Sequence, residues 1–335
     1  MLINILNKLN YNIHLSEQEA FELINYIASG QANPYQLAAL LASLKTKGET
    51  VEEITGFARG MRARTLKINT DGIGLIVDTC GTGGDGINSF NISTASAIIA
   101  AAAGLKVAKH TNFGFTSRCG GSNVLEALKI PLLKQPEEVS YSLKNKSIAF
   151  IHAPFFHQST FHVNQVRKEL GIRTIFNFLG PLTNPVLPTG QVIGVSSDDM
   201  VPKIAHALKN LGCKKAMVVC GIDPVMDEIS ICGKTLIYEL NNEKITSYEI
   251  TPEDFGLKTA PVQDIAGGSP DINASIIEDL FSGKQSGARQ EILLLNTAAV
   301  LWAGNKVSTL KEGVKLAREI IESGKALAKL TELRA

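Results

Sequence analysis

The stretch Val77-Asp78-Thr79-Cys80-Gly81-Thr82-Gly83-Gly84-Asp85 decides how this chain is read. An apolar strand, Leu75-Ile76-Val77, runs into a glycine loop and then into the alanine-rich helix that follows Asn91-Ile92-Ser93-Thr94. Glycines let a backbone approach an anion closely and adopt positive φ, while free N–H groups of the loop and of the next helix start point at negative oxygens. The pattern is that of a phosphate or pyrophosphate cradle, with a tight structural turn as the plainer alternative. Gly81, Gly83 and Gly86 match G-x-G-x-x-G literally, so dinucleotide binding is the first candidate to weigh. It fails twice. In that fold the helix opens inside the glycine motif and an acidic residue about 20 positions on takes the ribose hydroxyl. Here the helix is expected near Ser93, and the next strand ends in the basic run Lys106-Val107-Ala108-Lys109-His110. The absence of G-K-[ST] removes the mononucleotide P-loop.

Outward from this loop the pattern divides in two. Up to about Arg64 everything reads helical: Ser16 with Glu19 and Thr50 with Glu53 are capping boxes, and Ala20, Phe21, Leu23, Ile24 and Ile27 form an apolar stripe. After Asp71, short β-rich runs (75–77, 106–108, 148–151, 192–195 and 216–220) alternate with helices. That alternation predicts an α/β fold: a small helical N-terminal domain and a larger α/β domain with a mostly parallel central sheet. Residues 234–240 and 244–250 read as an antiparallel hairpin, and four helices are expected near 271–281, 285–304, 310–323 and 325–333. Trp302 reads as core.

Composition narrows the function classes. With 335 residues, 44% of them hydrophobic, the chain can bury one large core or two modest ones. A formal net charge of +1 gives no electrostatic reason to expect nucleic acid or a membrane as partner. The longest apolar run, Ala95 to Leu105, is too short for a span and is broken by Ser96 and Gly104. The first residues lack a signal-peptide pattern, and five cysteines without a C-x-x-C pair fit a reducing cytoplasm, so a cytoplasmic enzyme is expected.

In such a sheet ligands bind beyond the carboxyl ends of the strands. The glycine loop falls there, as does the donor-rich segment from Lys109 to Arg118. A third loop carries Asp227-Glu228; adjacent carboxylates suit Mg²⁺, which completes its octahedron with water and substrate phosphates, although alone they read as a solvated acidic turn. The fourth, His157 to Asn184, contains Arg167, able to hold a carboxylate bidentately or simply to cover a helix surface. His152, His157 and His162 are spaced by five, which does not align them on one helix face, and nothing nearby completes a zinc set.

The motifs D-x-C-G-T-G-G-D, N-I-S-T, K-H-x-N, V-R-K-E-L-G-x-R-T-x-F-N-x-L-G-P-L-T-N-P and M-D-E-I-S, in this order and over nearly the whole chain, resemble the anthranilate phosphoribosyltransferase family. The resemblance implies a nucleoside phosphorylase/phosphoribosyltransferase-like arrangement. Residues 1–66 would form the helical domain, joined by helices near 160–190, and 67–335 the α/β domain that binds the donor. It implies a homodimer joined through the helical part and transfer of a phosphoribosyl group from 5-phosphoribosyl 1-diphosphate to anthranilate in tryptophan biosynthesis, with two Mg²⁺ ions. By this resemblance Gly81, Thr82, Gly84, Asp85, Ser89, Asn91, Ser93, Thr94, Lys109, Asn112, Ser117 and Gly121 would hold the donor. Ser93, Asp227 and Glu228 would serve the metal. Gly81, Asn112 and Arg167 would contact the acceptor, with His110 and Pro181 lining its entrance. The nucleophile is a neutral arylamine, so no catalytic base is assigned.

The chain departs from the family pattern in one place. Where the family reads K-H-G-N-R-S it has Thr111, Phe113 and Gly114, and where the family reads H-P-A-M it has His157-Gln158-Ser159-Thr160. Thr111, Phe113, His157 and Gln158 are therefore candidates for acceptor specificity. Three functions follow: the anthranilate enzyme, a paralogue acting on another aromatic acceptor, and a non-catalytic relative that binds nucleic acid. The last would be strongly basic and stripped of its metal ligands, and this chain is neither.

Overall fold

The computed structural model describes residues 1–114, 118–157 and 161–335, the side chains of 161 and 162 excepted. It opens with α1 (Leu2–Asn10), α2 (Glu17–Ala28), α3 (Pro34–Lys47) and α4 (Val51–Ala63). Their starts follow from the sequence: Ser16 and Glu19 cap α2 reciprocally, Thr50 and Glu53 do the same for α4, and Asn33 caps α3 ahead of Pro34. The middle of the chain runs β1 (Ile76–Gly81), α5 (Ile92–Ala102), β2 (Lys106–Thr111), α6 (Gly121–Ala127), α7 (Pro136–Asn145), β3 (Ile148–His152), α8 (Ala153–Phe156), α9 (Phe161–Leu170), α10 (Phe176–Leu182) and β4 (Gly190–Gly194). The rest is α11 (Met200–Asn210), β5 (Lys215–Ile222), β6 (Val225–Met226), β7 (Thr235–Asn241), β8 (Lys244–Ile250), α12 (Pro270–Phe281), α13 (Ala288–Ala303), α14 (Leu310–Glu322) and α15 (Lys325–Arg334).

Among the described residues the strands form one eight-stranded sheet ordered β3-β2-β1-β4-β5-β7-β8, with β6 paired to β5. The first five strands run parallel, and β7 and β8 add an antiparallel edge. Strand alternation parts the core into two faces. Met217 and Val219 of β5 join one apolar cluster with α5, α13, α14 and α15, whereas Ala216, Val218 and Cys220 join a second with α11 and the N-terminal helices. The helical unit is therefore packed onto one face of the sheet, and Val163 and Val166 of α9 belong to the same cluster. Trp302 is buried, as expected for core.

Two expectations need correction. β2 extends to Thr111 because Thr111 pairs with His152, so Lys109, His110 and Thr111 are strand residues and not part of the loop. The segment 157–184 is largely two helices, α9 and α10, and not an open loop. No helix among the described residues is long and apolar enough to cross a membrane.

Candidate active site

Strand order reverses direction at β1: β2 and β3 continue on one side, β4 and β5 on the other. Such a switch point opens a crevice beyond the carboxyl ends of the strands. Here it is closed at the bottom by backbone, since the Thr82 N–H donates to the Gly194 carbonyl at 2.9 Å. Asp227 sits directly on this pair. A Cβ on Gly81 would fall 2.1 Å from Asp227 Oδ2, and one on Gly194 would fall 1.7 Å from the Asp227 carbonyl oxygen. Only glycine at both positions admits the acidic loop. Above it lies a cleft of about 430 Å³ lined by the glycine loop, the start of α5, the end of β2, the start of α6 and the pair Asp227 and Glu228.

The cleft gathers opposite charges on short tethers. Asp227 Oδ2 accepts the Gly83 N–H at 2.6 Å, and Glu228 lines the same cleft as Ser93 at the start of α5. Both carboxyls are pushed above their ordinary range, first by burial and then by neighbouring carboxylates, Asp85 against Asp227 and Asp227 against Glu228. Lys109 reaches in from β2, its Nζ donating to the Thr79 carbonyl at 2.6 Å and to Ser93 Oγ at 3.1 Å. The hydroxyls of Thr82 and Thr94 are buried and meet no partner among the described residues, and both residues line the cleft. A buried polar group left unpaired is costly, so these two oxygens beside the cleft are consistent with a polar ligand there. Among the described residues no cluster of three or more His, Cys, Asp and Glu side chains could enclose a metal. Two carboxylates with hydroxyl and phosphate oxygens are instead the donor set of Mg²⁺, and the site fits that ion.

Gly81, Thr82, Gly84, Asp85, Ser89, Asn91, Ser93, Thr94, Lys109, Asn112 and Gly121 all line this one cleft. Asn91 is fixed by Asn273, whose Nδ2 donates to it at 2.9 Å, and itself donates to the Cys119 carbonyl at 3.1 Å. Ser117 and Gln158 lie outside the described residues.

Of the residues expected to face the acceptor, Gly81, His110, Thr111, Asn112, Phe113, His157 and Arg167 line the same cleft. His110 is buried, its Nδ1 donating to the Gly180 carbonyl at 3.0 Å, and its ring meets that of His157 edge-on at 5.0 Å. Burial lowers both imidazoles, His110 to about 4 and His157 to about 3, so both are neutral at physiological pH. His157 Nδ1 lies 3.0 Å from Thr65 Oγ1. That hydroxyl gives its hydrogen to the Met61 carbonyl, so the ring nitrogen is the donor. Arg167, near the end of α9, lies over the Phe176 ring at 5.4 Å, and burial lowers its pKa. Phe113 is exposed, with its ring 4.8 Å from that of His152, while Thr111 is buried with Oγ1 3.4 Å from Ser122 Oγ. Pro181 is buried inside α10, behind the wall that Gly180 and Thr183 present to the cleft.

Three residues of weight escaped sequence reasoning. Asp78 is fully buried within β1, where Asn184 Nδ2 donates to it at 2.8 Å and to the Ala108 carbonyl at 2.7 Å, tying β1 to β2. Their signal was the D and the T-N-P at the ends of quoted motifs. Arg173, inside V-R-K-E-L-G-x-R-T, donates to the Gly83 carbonyl. Nothing in its spacing showed that it reaches the glycine loop.

A family profile described as "Glycosyl transferase family, a/b domain" matches residues 74–327, and "Glycosyl transferase family, helical bundle domain" matches 3–65. The chain is 46% identical over 332 residues to a protein of Acetivibrio thermocellus named anthranilate phosphoribosyltransferase, covering 99% of this chain and 95% of that one. It is 47% identical over 320 residues to one of the same name from Symbiobacterium thermophilum, covering 96% and 93%. Among solved structures it resembles anthranilate phosphoribosyltransferase from Thermus thermophilus, with a TM-score of 0.90, 38% identity and 99% of each chain covered. The Saccharomyces cerevisiae enzyme in complex with PRPP and Mg matches with a TM-score of 0.90 at 30% identity, covering 99% of this chain and 96% of that one.

Proposed function

The chain belongs to the anthranilate phosphoribosyltransferase family, and from that membership we propose that it moves a phosphoribosyl group from 5-phosphoribosyl 1-diphosphate to the amine of anthranilate, giving N-(5-phosphoribosyl)anthranilate and diphosphate. The observation that carries the reading is the meeting of Asp227 with the glycine loop at hydrogen-bond distance, in one cleft with Glu228 and the start of α5.

Displacing diphosphate from an anomeric carbon passes through an oxocarbenium-like state, so the protein must stabilise a leaving anion and hold a nucleophile in line. Gly81, Thr82, Gly84, Asp85, Ser89, Asn91, Ser93, Thr94, Lys109, Asn112 and Gly121 hold the donor. Loop amides and the Lys109 ammonium receive its phosphate oxygens. Ser93, Asp227 and Glu228 would hold Mg²⁺, two ions in this reading, which would supply positive charge for the leaving diphosphate. Arg167 pairs with the acceptor carboxylate while Asn112 orients the amine. His110 and His157 are neutral, so they add no positive charge beside a developing sugar cation. The arylamine attacks as the free base and gives up its proton after the C–N bond forms, so no side chain is assigned as base.

The enzyme is read as a cytoplasmic homodimer joined through its helical part. All five thiols are free, and α1 and α3 expose Ile3 and Tyr35. One observation favours a second reading, a different aromatic acceptor: Thr111 and Phe113, where the chain departs from the family pattern, both line the cleft. An acceptor screen with the diphosphate donor and Mg²⁺, read by product mass, separates the two. Anthranilate as the most efficient acceptor supports the first reading; a distinct aromatic acid or amine used in its place, with anthranilate left unreacted, would overturn it.

A further inference from the structure

We infer that Arg173 is a positioning residue for the diphosphate half of the reaction, holding the glycine loop in its phosphate-receiving shape from behind. The inference rests on the reading of this cleft as the donor site. Arg173 lies between α9 and α10, outside the cleft lining, and its guanidinium crosses to the back of the loop. Its Nη1 donates to the Gly83 carbonyl, and Ser196 Oγ donates to the same oxygen at 3.1 Å. Gly83 is therefore held at both of its backbone polar groups, because its N–H is already given to Asp227.

The geometry of a trans peptide turns this into function. The Gly83 carbonyl and the Gly84 N–H belong to one planar unit and point in opposite directions. With the carbonyl pulled back towards Arg173, the Gly84 N–H faces forward, and Gly84 lines the cleft. The loop conformation that permits this is left-handed at both residues, φ +69° at Gly83 and +77° at Gly84. Gly84 has a second reason to lack a side chain: a Cβ there would fall 1.7 Å from Arg173 Nη1. The arginine and the glycine are thus fitted to each other.

Charge adds to the same effect. Arg173 lies close enough to Asp227 and Asp85 to attract both, and its guanidinium is packed over the Phe178 ring at 5.6 Å. Its Nη2 is buried without a hydrogen-bond acceptor among the described residues. The positive charge is therefore directed, in a partly desolvated setting, at the carboxylates that face the donor.

The experiment compares Arg173→Ala, Arg173→Lys and Ser196→Ala with the wild type. Donor and acceptor KM are measured separately, together with the rise in melting temperature caused by inorganic diphosphate plus Mg²⁺. Arg173→Ala should raise donor KM by about tenfold to a hundredfold, the scale of losing a charged hydrogen bond, and leave acceptor KM within about twofold. It should also reduce the diphosphate-induced rise in melting temperature at a fixed ligand concentration. Arg173→Lys, which keeps the charge but loses the planar fork, should fall between wild type and alanine, and Ser196→Ala should shift donor KM a few-fold the same way. An unchanged donor KM in Arg173→Ala, or equal rises in donor and acceptor KM, would overturn the inference. Should the alanine variant fail to fold, an unchanged donor KM in both remaining variants does the same. If the wild type does not use anthranilate, the proposed reaction fails by itself, and the diphosphate-induced melting shift still decides the role of Arg173.

Discussion

Gly83 gives its backbone N–H to the Asp227 carboxylate across 2.6 Å, joining residues 144 positions apart. A glycine-loop amide would ordinarily be free to meet phosphate. Here one of them is spent on aiming a carboxylate, so the phosphate loop and the acidic loop are built as a single unit. The glycines at 81 and 194 leave the room for it.

Asp227→Asn and Glu228→Gln should each lower turnover by about 100-fold or more, because each removes a charge that holds the metal against the leaving group. Folding should survive, since both residues sit in a loop at the cleft floor. Near wild-type turnover of both variants at limiting Mg²⁺ would contradict the metal assignment.

Arg167→Ala should weaken acceptor use by roughly 2 to 4 kcal/mol if its ion pair with the acceptor carboxylate is desolvated. Donor affinity, measured by calorimetry, should hardly change. A matching loss of donor affinity would move Arg167 to the phosphate side.

Acid should destabilise the fold through His110 and His157. In the folded chain burial keeps both rings neutral to about pH 4 and about pH 3, whereas unfolded imidazoles protonate near their ordinary value of 6.5. The unfolded chain therefore binds more protons, and this contribution is complete above pH 6.5 and lost as the pH falls towards 4. By linkage the loss from His110 approaches about 3 kcal/mol at that point. Melting temperatures from pH 7 to 4 should fall less steeply in His110→Gln than in the wild type; parallel curves would contradict the shift.

In the helical unit, Lys47 and Glu53 form a buried pair at 2.8 Å, and Glu53 also accepts the Leu15 and Thr50 N–H groups. Lys47→Met strands a carboxylate away from water and should cost about 3 to 5 kcal/mol. Urea unfolding measures this, and turnover per folded molecule should remain unchanged.

Much of this was legible in the sequence because the chemistry is local there. The capping pairs Ser16–Glu19 and Thr50–Glu53 mark helix starts with residues three apart, and the run from Asp78 to Asp85 carries strand, turn and anion loop within a few positions. The extent of β2 was misread because pairing to β3 through Thr111 and His152, and not local propensity, sets where the strand ends. Arg173 and Asn184 escaped for a related reason. Their partners, Gly83 and Asp78, lie 90 and 106 positions away, and only the crossover connections of the sheet bring them together.

The most direct measurement follows anthranilate and diphosphate at once, in wild type and Asp227→Asn, with 5-phosphoribosyl 1-diphosphate and Mg²⁺. The wild type should consume anthranilate and release diphosphate in equal amounts, and the variant should do neither at a comparable rate. Diphosphate released while anthranilate stays intact, or full activity in Asp227→Asn, would contradict the account.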